Sequence, residues 1–240
     1  MDPIRGLGDI VRLGQSHPSV VLPGMSDEQR IRATYDQVAH KYHRELGAEL
    51  DGKPLDRALL DAVAELCQDE PLVDLGCGPG HVTAYLAERH TGVTGIDLSP
   101  EMIRIARIEN PGVEFRVESM LDLSAGDASW GGIIAFYSII HLTPRQRVQA
   151  IQEMSRVLQP SGWLLLSFHI NDEDFKAGDV NHLTEWFGHD VDIDGYFIDP
   201  DEITKHMDEA GMSVVASTIR QPNPDVEYPS RRCYLLGQKK

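Results

Sequence analysis

Gly76, Gly78 and Gly80, separated by Cys77 and Pro79, follow directly on the apolar run Leu72-Val73-Asp74-Leu75. Glycines so spaced let a buried strand turn sharply into a helix while a ligand lies against bare backbone. A carboxylate, Asp97, closes a second apolar run containing Val93 and Ile96, where an acid can take both hydroxyls of a ribose. The pair reads as a nucleoside site. A dinucleotide fingerprint would need its third glycine at position 81, where the chain carries His81. Asp74 adds a second negative charge beside the loop, which would repel a pyrophosphate and suits a ligand bearing an ammonium and a sulfonium.

These residues resemble the class I S-adenosylmethionine-dependent methyltransferases, whose first motif looks like Asp74-Leu75-Gly76-Cys77-Gly78-Pro79-Gly80 with an acid, here Asp97, ending the second strand. The resemblance implies a Rossmann-like, doubly wound α/β fold. Its seven-stranded sheet would be mostly parallel, with an antiparallel C-terminal hairpin and helices on both faces. It also implies S-adenosyl-L-methionine as cofactor and in-line methyl transfer to O, N or C of a small molecule. Cofactor contacts are expected at Asp74, Gly76, Cys77, Gly78, Asp97, Leu98, Ser119, Met120 and Tyr137. Relatives usually carry an acid for the adenine amino group where this chain has Ser119; a hydroxyl there could still bond the base, with Met120 offering backbone N–H and an apolar wall. The segment Tyr35 to Tyr42 resembles one that lies across the cofactor in small-molecule methyltransferases, and the competing reading is a helix that only packs on the core. Other readings are a cyclisation that uses the sulfonium electrostatically, a nicotinamide-dependent oxidoreductase, disfavoured by His81 and Asp74, and a binding module without catalysis.

Methyl transfer from a sulfonium needs alignment and exclusion of water more than acid–base chemistry, and a histidine helps when the nucleophile must lose a proton. His141 and His169, both at predicted strand ends beside the cofactor, are the candidate bases, followed by His182 and His189. No Asn-Pro-Pro-Tyr tetrad follows the fourth strand, where Phe136-Tyr137-Ser138-Ile139 stands instead, so a DNA base is not the expected acceptor. Residues 170–199 are acidic but interleaved with aromatics, and read as a long loop at the ligand edge of the sheet. Trp186, Tyr196, Phe197 and His182 there are the expected acceptor-binding residues.

The elements that must position these groups are legible from caps and periodicity. Ser26-Asp27-Glu28-Gln29 and Thr143-Pro144-Arg145-Gln146 are capping boxes, Ser99-Pro100 opens another helix, and Pro54 suits a first helical turn. Ile31, Tyr35, Val38 and Tyr42 repeat at helical spacing, as do Leu55, Leu59, Val63 and Leu66. Gly132 to Phe136 is a continuous apolar run suited to a strand covered on both faces. We expect an irregular arm over 1–25 and one methyltransferase domain over 26–240, with a helical cap over 26–68 and the 170–199 insertion on the substrate side.

The chain of 240 residues can hold one sizeable α/β domain. Its net charge of −16, from 22 Lys and Arg against 38 Asp and Glu, opposes nucleic acid and anionic membranes as partners. Three dispersed cysteines, Cys67, Cys77 and Cys233, suggest neither a disulfide framework nor a metal site. With no apolar stretch of signal-peptide or membrane-spanning length, a cytoplasmic location is expected. A small-molecule acceptor is the expected partner, and a homodimer is left open.

Overall fold

A computed structural model describes residues 24–224 and 226–240; most of the arm expected over 1–25 lies outside them. Strands β1 (Leu72–Leu75), β2 (Val93–Asp97), β3 (Glu114–Val117), β4 (Trp130–Phe136) and β5 (Leu158–Asn171) pair in parallel. Two further strands, β8 (Met212–Arg220) and β9 (Arg231–Lys239), run antiparallel to each other, with β9 antiparallel to β5. The sheet order is β3-β2-β1-β4-β5-β9-β8, a seven-stranded, mostly parallel sheet of the kind the family resemblance implies.

Helices cover both faces because consecutive strand residues point to opposite sides. Ile133, Ala135, Leu164 and Leu166 pack under α5 (Pro144–Val157) and α6 (Pro200–Glu209), against Ile151, Met154, Ile203 and Met207. Ile134 and Leu165 face the other way, against Leu60, Val63, Val82 and Leu86 of α2 (Pro54–Cys67) and α3 (His81–Ala87). Strand order reverses between β1 and β4, and in open parallel sheets the crevice beyond such a switch is where ligands bind.

A long helix, α1 (Asp27–Leu46), lies over that edge. Its Ser26/Gln29 capping box forms as expected. Ala39 packs on Met102 and Ile105 of α4 (Pro100–Glu109), with Tyr35 and Tyr42 beside them. Asp36 accepts from Ser99 Oγ at 2.6 Å and from Glu101 N at 3.1 Å, fastening α1 to the N-terminus of α4.

The expected loop over 170–199 is instead largely a β-hairpin: β5 runs on to Asn171, and β6 (Val180–Trp186) pairs antiparallel with β7 (His189–Tyr196). Val191 and Ile193 alternate with Asp190, Asp192 and Asp194, a period of two that does mark a strand. The turn hides the signal. Phe187 and Gly188 form a two-residue connection with φ of 53° and 73°, and a Phe in the left-handed region is an unusual hairpin residue. Burial of Phe187 against Tyr42 and Trp186 offsets that strain. The hairpin is docked on α1 rather than hanging free: Arg30 pairs with Asp192 at 3.0 Å, and Lys41 Nζ donates to Phe187 O at 3.1 Å.

Candidate active site

Two clefts meet at the C-terminal edge of the parallel strands. The first is lined by the glycine loop, Asp97, Leu98, Ser119, Met120 and Ser138 and by the face of α1 that carries Tyr35. Gly76 has φ +82°, and a Cβ there would stand 2.2 Å from Ser138 Cβ, so only glycine lets the ends of β1 and β4 approach. Gly78, at φ +53°, has nothing within 4 Å of a built Cβ; a side chain there would project into the cleft it lines.

The loop amides are already engaged. Gly76 N and Cys77 N both donate to Ile96 O, at 2.7 and 3.0 Å, Gly78 N donates to Asp97 Oδ2 at 2.9 Å, and Gly80 N to Cys77 O at 3.0 Å. Pro79 has no N–H to give. A pyrophosphate is held by free amides at such a turn, so this loop offers it little. Asp97 also accepts from Ser99 N at 2.8 Å, and burial pushes its carboxyl up to about 6. Asp74 lies deeper, 1% exposed, accepting from Thr83 Oγ1 at 2.6 Å, with burial again raising its carboxyl to about 6. Cys77 points away, into an apolar cluster with Ile103, Ala106 and Phe115, and offers the cleft no thiol chemistry.

The second cleft is walled by rings. Tyr35, Tyr42, Trp186 and Phe187 pack edge-on or stacked, with centroids 5.2–6.1 Å apart, and Phe197, Tyr196 and Tyr228 face them. Both clefts share Tyr35, Tyr42, Glu49, Lys53, Tyr137 and His141, so they adjoin along these side chains. Asn181 and Leu183 line the second cleft, whereas His182, between them on β6, points outward and bonds Asp194 at 2.7 Å. The strand alternation therefore removes His182 from the expected acceptor set, while Trp186, Tyr196 and Phe197 stay in it.

The two candidate histidines differ. His141 Nδ1 bonds Asp194 O at 2.7 Å, and because a carbonyl only accepts, Nε2 must accept from Tyr35 OH at 2.8 Å. Both nitrogens are occupied, and burial lowers the imidazole to about 4. His169 uses only Nδ1, against Ser230 Oγ, leaving Nε2 without a partner among the described residues; its ring stacks on Tyr137 at 5.1 Å and borders the second cleft. Burial, then Arg232 and Lys53, hold it well below the usual histidine range.

Beneath these rings lies a buried charge network that the sequence reading missed. Lys53, 3% exposed, is 2.7 Å from Glu49 and 3.4 Å from Glu227. Glu227 also meets Arg232 at 3.2 Å and pairs with Arg220, which reaches Asp56 at 2.9 Å. Tyr234 OH donates to Asp56 at 2.9 Å and bonds Tyr137 OH at 2.7 Å. One signal was available: Arg232 directly precedes the run Cys233 to Leu236, although a charge near a strand end more often marks a solvated face. Among the described residues no group of His, Cys, Asp and Glu is arranged to hold a metal ion, and no helix is long and apolar enough to cross a membrane.

Residues 72–162 match a family model described as a methyltransferase domain. An O-methyltransferase of Penicillium expansum is 33% identical over 112 residues, 44% of this chain and 40% of that protein. A ubiquinone biosynthesis O-methyltransferase of Nitrosospira multiformis is 25% identical over 217 residues, 85% of this chain and 87% of that one. The first curated relatives are matched over about half their length. In fold, the chain aligns with magnesium protoporphyrin IX methyltransferase from Synechocystis at a TM-score of 0.65 and 15% identity, over 91% of this chain and 99% of that one. It also aligns with the [4+2]-cyclase SpnF at 0.68 and 18% identity, over 90% and 98%.

Residues 72–162 thus match a methyltransferase domain, and the fold is that of S-adenosylmethionine-dependent methyltransferases of known structure. The residues of the glycine-floored cleft fit S-adenosylmethionine, the cofactor the resemblance implies, on their own evidence. A bare glycine backbone with occupied amides suits a cationic sulfonium compound better than a pyrophosphate, Asp97 stands where ribose hydroxyls can be accepted, and a Cβ at Gly78 would fill the cradle.

Proposed function

We propose that the protein transfers a methyl group from S-adenosylmethionine to an acidic hydroxyl, a phenol or enol, of a flat small molecule held in the ring-walled cleft. The observation that carries this is that the two clefts adjoin: the glycine-floored one suits the nucleoside, and the aromatic one carries a histidine with an uncommitted nitrogen. The bound cofactor would supply an activated methyl on a sulfonium. Asp97 would hold the ribose, Leu98 and Met120 would flank the base, and Asp74 would add negative charge for the cofactor's cationic groups. Tyr35 and Tyr42 would close the junction between the clefts, with His141 positioning Tyr35.

His169 is the proposed base. With its proton on Nδ1, donated to Ser230 Oγ, Nε2 carries the lone pair and would accept the proton of the acceptor hydroxyl. Burial, then Arg232 and Lys53, keep the ring neutral at physiological pH, and a base of that strength suits an acidic hydroxyl better than an aliphatic alcohol. Trp186, Tyr196 and Phe197 would supply flat apolar walls that exclude water. The relatives named O-methyltransferases support oxygen as the nucleophile.

The same fold also serves a cyclase, so fold alone does not choose the reaction. Incubation with methyl-labelled cofactor and a small-molecule extract, followed by mass spectrometry, tests the reading. A product carrying the labelled methyl on oxygen is expected. An isomerised product with no label would replace methyl transfer by cyclisation.

A further inference from the structure

Once a ribose is set at Asp97, the space left for the base is the apolar end of the first cleft, bounded by Ile31, Leu98, Met120 and Leu142. A base placed there must be read by a polar group, and the neighbouring strand-end residue is the neutral Ser119. Glu118 accepts from Ser124 Oγ at 2.9 Å and Ser124 N at 3.1 Å, which turn its carboxylate toward Ser124. Asp97, held by Gly78 N and Ser99 N, is taken up by the ribose. The remaining carboxylate comes from elsewhere in the chain. Glu28, in the first turn of α1, borders the cleft and accepts a hydrogen bond from Ser119 Oγ through Oε1. Its Oε2 has no partner among the described residues.

We infer that Glu28 reads the adenine of the cofactor, accepting a hydrogen bond from the exocyclic amino group, with Ser119 orienting the carboxylate. The inference rests on the cofactor reading above. An ionised carboxylate only accepts, so it favours adenine, which donates at that edge, and rejects hypoxanthine, which presents an oxygen there. The backbone around Glu28 is fixed independently of any ligand: the capping box holds the start of α1, Arg30 ties it to the hairpin, and Asp36 ties it to α4. Base selectivity thus depends on a helix docked across the site rather than on the turn after β3 that bears Ser119. The clamp is also a reader.

The test is calorimetric binding of S-adenosylhomocysteine and S-inosylhomocysteine, which needs no acceptor. Wild type should prefer the adenosyl compound. In Glu28→Gln that preference should fall about tenfold or more, the scale of a hydrogen bond to a charged group. In the Glu28→Ala/Ser119→Asp double variant it should return. Asp97→Asn should weaken both nucleosides alike and leave their ratio unchanged. An unchanged ratio in Glu28→Gln, in a protein whose circular dichroism matches wild type, overturns the assignment. Failure of wild type to bind S-adenosylhomocysteine at all would remove the cofactor reading beneath it, which is a distinct result.

Discussion

The two clefts are built on opposite plans. The cofactor side is floored by short consecutive runs, Asp74 to Gly78, Asp97 to Ser99, Ser119 and Met120, with side chains of α1 beside them. Backbone geometry there is set by local rules, such as a positive φ at Gly76 and Gly78 and amides already engaged before any ligand arrives. The acceptor side is almost wholly side chain, collected from α1, the hairpin, and the ends of β5 and β9, from Tyr35 to Arg232. Its polar groups are meaningful only as partners: His169 lies opposite Arg232 across two strands, and Glu227 is defined by the three cations around it. A site made of backbone is preorganised by the fold, whereas one made of distant side chains is specified by packing.

The largest expected effect tests whether the acceptor side does chemistry. His169→Ala should lower kcat/KM by about 10²–10⁴ at neutral pH, the range for loss of a positioned base. Because the ring titrates well below the usual histidine value, the wild-type acid limb should lie below pH 6.5. The loss in the variant should shrink as pH rises and the acceptor ionises by itself. A pH–rate profile with equal loss at every pH would make His169 a wall rather than a base. Next in size is Glu227→Ala, which strands Lys53, Arg220 and Arg232 in a buried place. Removing one partner of a buried ion network costs about 3–5 kcal/mol, and the midpoint of thermal unfolding should fall by roughly 10 °C. Affinity for S-adenosylhomocysteine, measured well below that midpoint, should stay close to wild type; a loss there would join the two sides the comparison separates.

That contrast also explains what was legible in the sequence. The helices, the first strands and the glycine loop follow from period, caps and composition acting over a few residues, so Leu72 to Asp97 reads as a nucleoside site, whereas the sheet's antiparallel end was implied by the family resemblance. The hairpin was read as a loop because its strands are largely polar, and its Phe187-Gly188 turn lacks the usual Asn or Asp. Lys53, Asp56, Arg220, Glu227 and Arg232 look like surface charges one at a time, and only their convergence makes them a buried network. His141 and His169 were equivalent as sequence; hydrogen bonds to Tyr35 and Asp194 separate them. Glu28 was read as part of a cap, and its second position beside Ser119 depends on the docking of α1.

Asp97 provides the corresponding probe of the cofactor side. Asp97→Ala should weaken S-adenosylhomocysteine by about 1.5–3 kcal/mol, the scale for hydrogen bonds to a charged group, with the fold intact. The wild-type affinity should carry a pH signature as well. The carboxyl sits at about 6 because of its burial, so it is ionised above that value and takes a proton as pH falls through it. Affinity is then highest above pH 7 and declines through about 6, and Asp97→Asn should flatten that decline. Calorimetry across pH 5–8 would remove Asp97 from the site if the dissociation constants of wild type and Asp97→Ala coincide.

The smallest expected effect is the most informative about the boundary. Trp186 touches Tyr35 and Tyr42, with ring centroids at 5.5 and 5.8 Å, and those tyrosines border both clefts, but Trp186 itself borders only the acceptor cleft. If α1 is held by its own anchors, Arg30 to Asp192 and Asp36 to Ser99, deleting the indole should leave the tyrosines in place. Trp186→Ala should then weaken or slow use of the acceptor while changing S-adenosylhomocysteine binding by no more than about 0.5 kcal/mol, the scatter of a substitution outside a site. Circular dichroism and a thermal melt would separate this from simple destabilisation. Loss of cofactor binding with acceptor use intact would mean that the hairpin positions α1 over the nucleoside. The aromatic wall would then belong to the cofactor, and the acceptor would have to lie nearer His169 and Tyr228, at the charged end of the cleft.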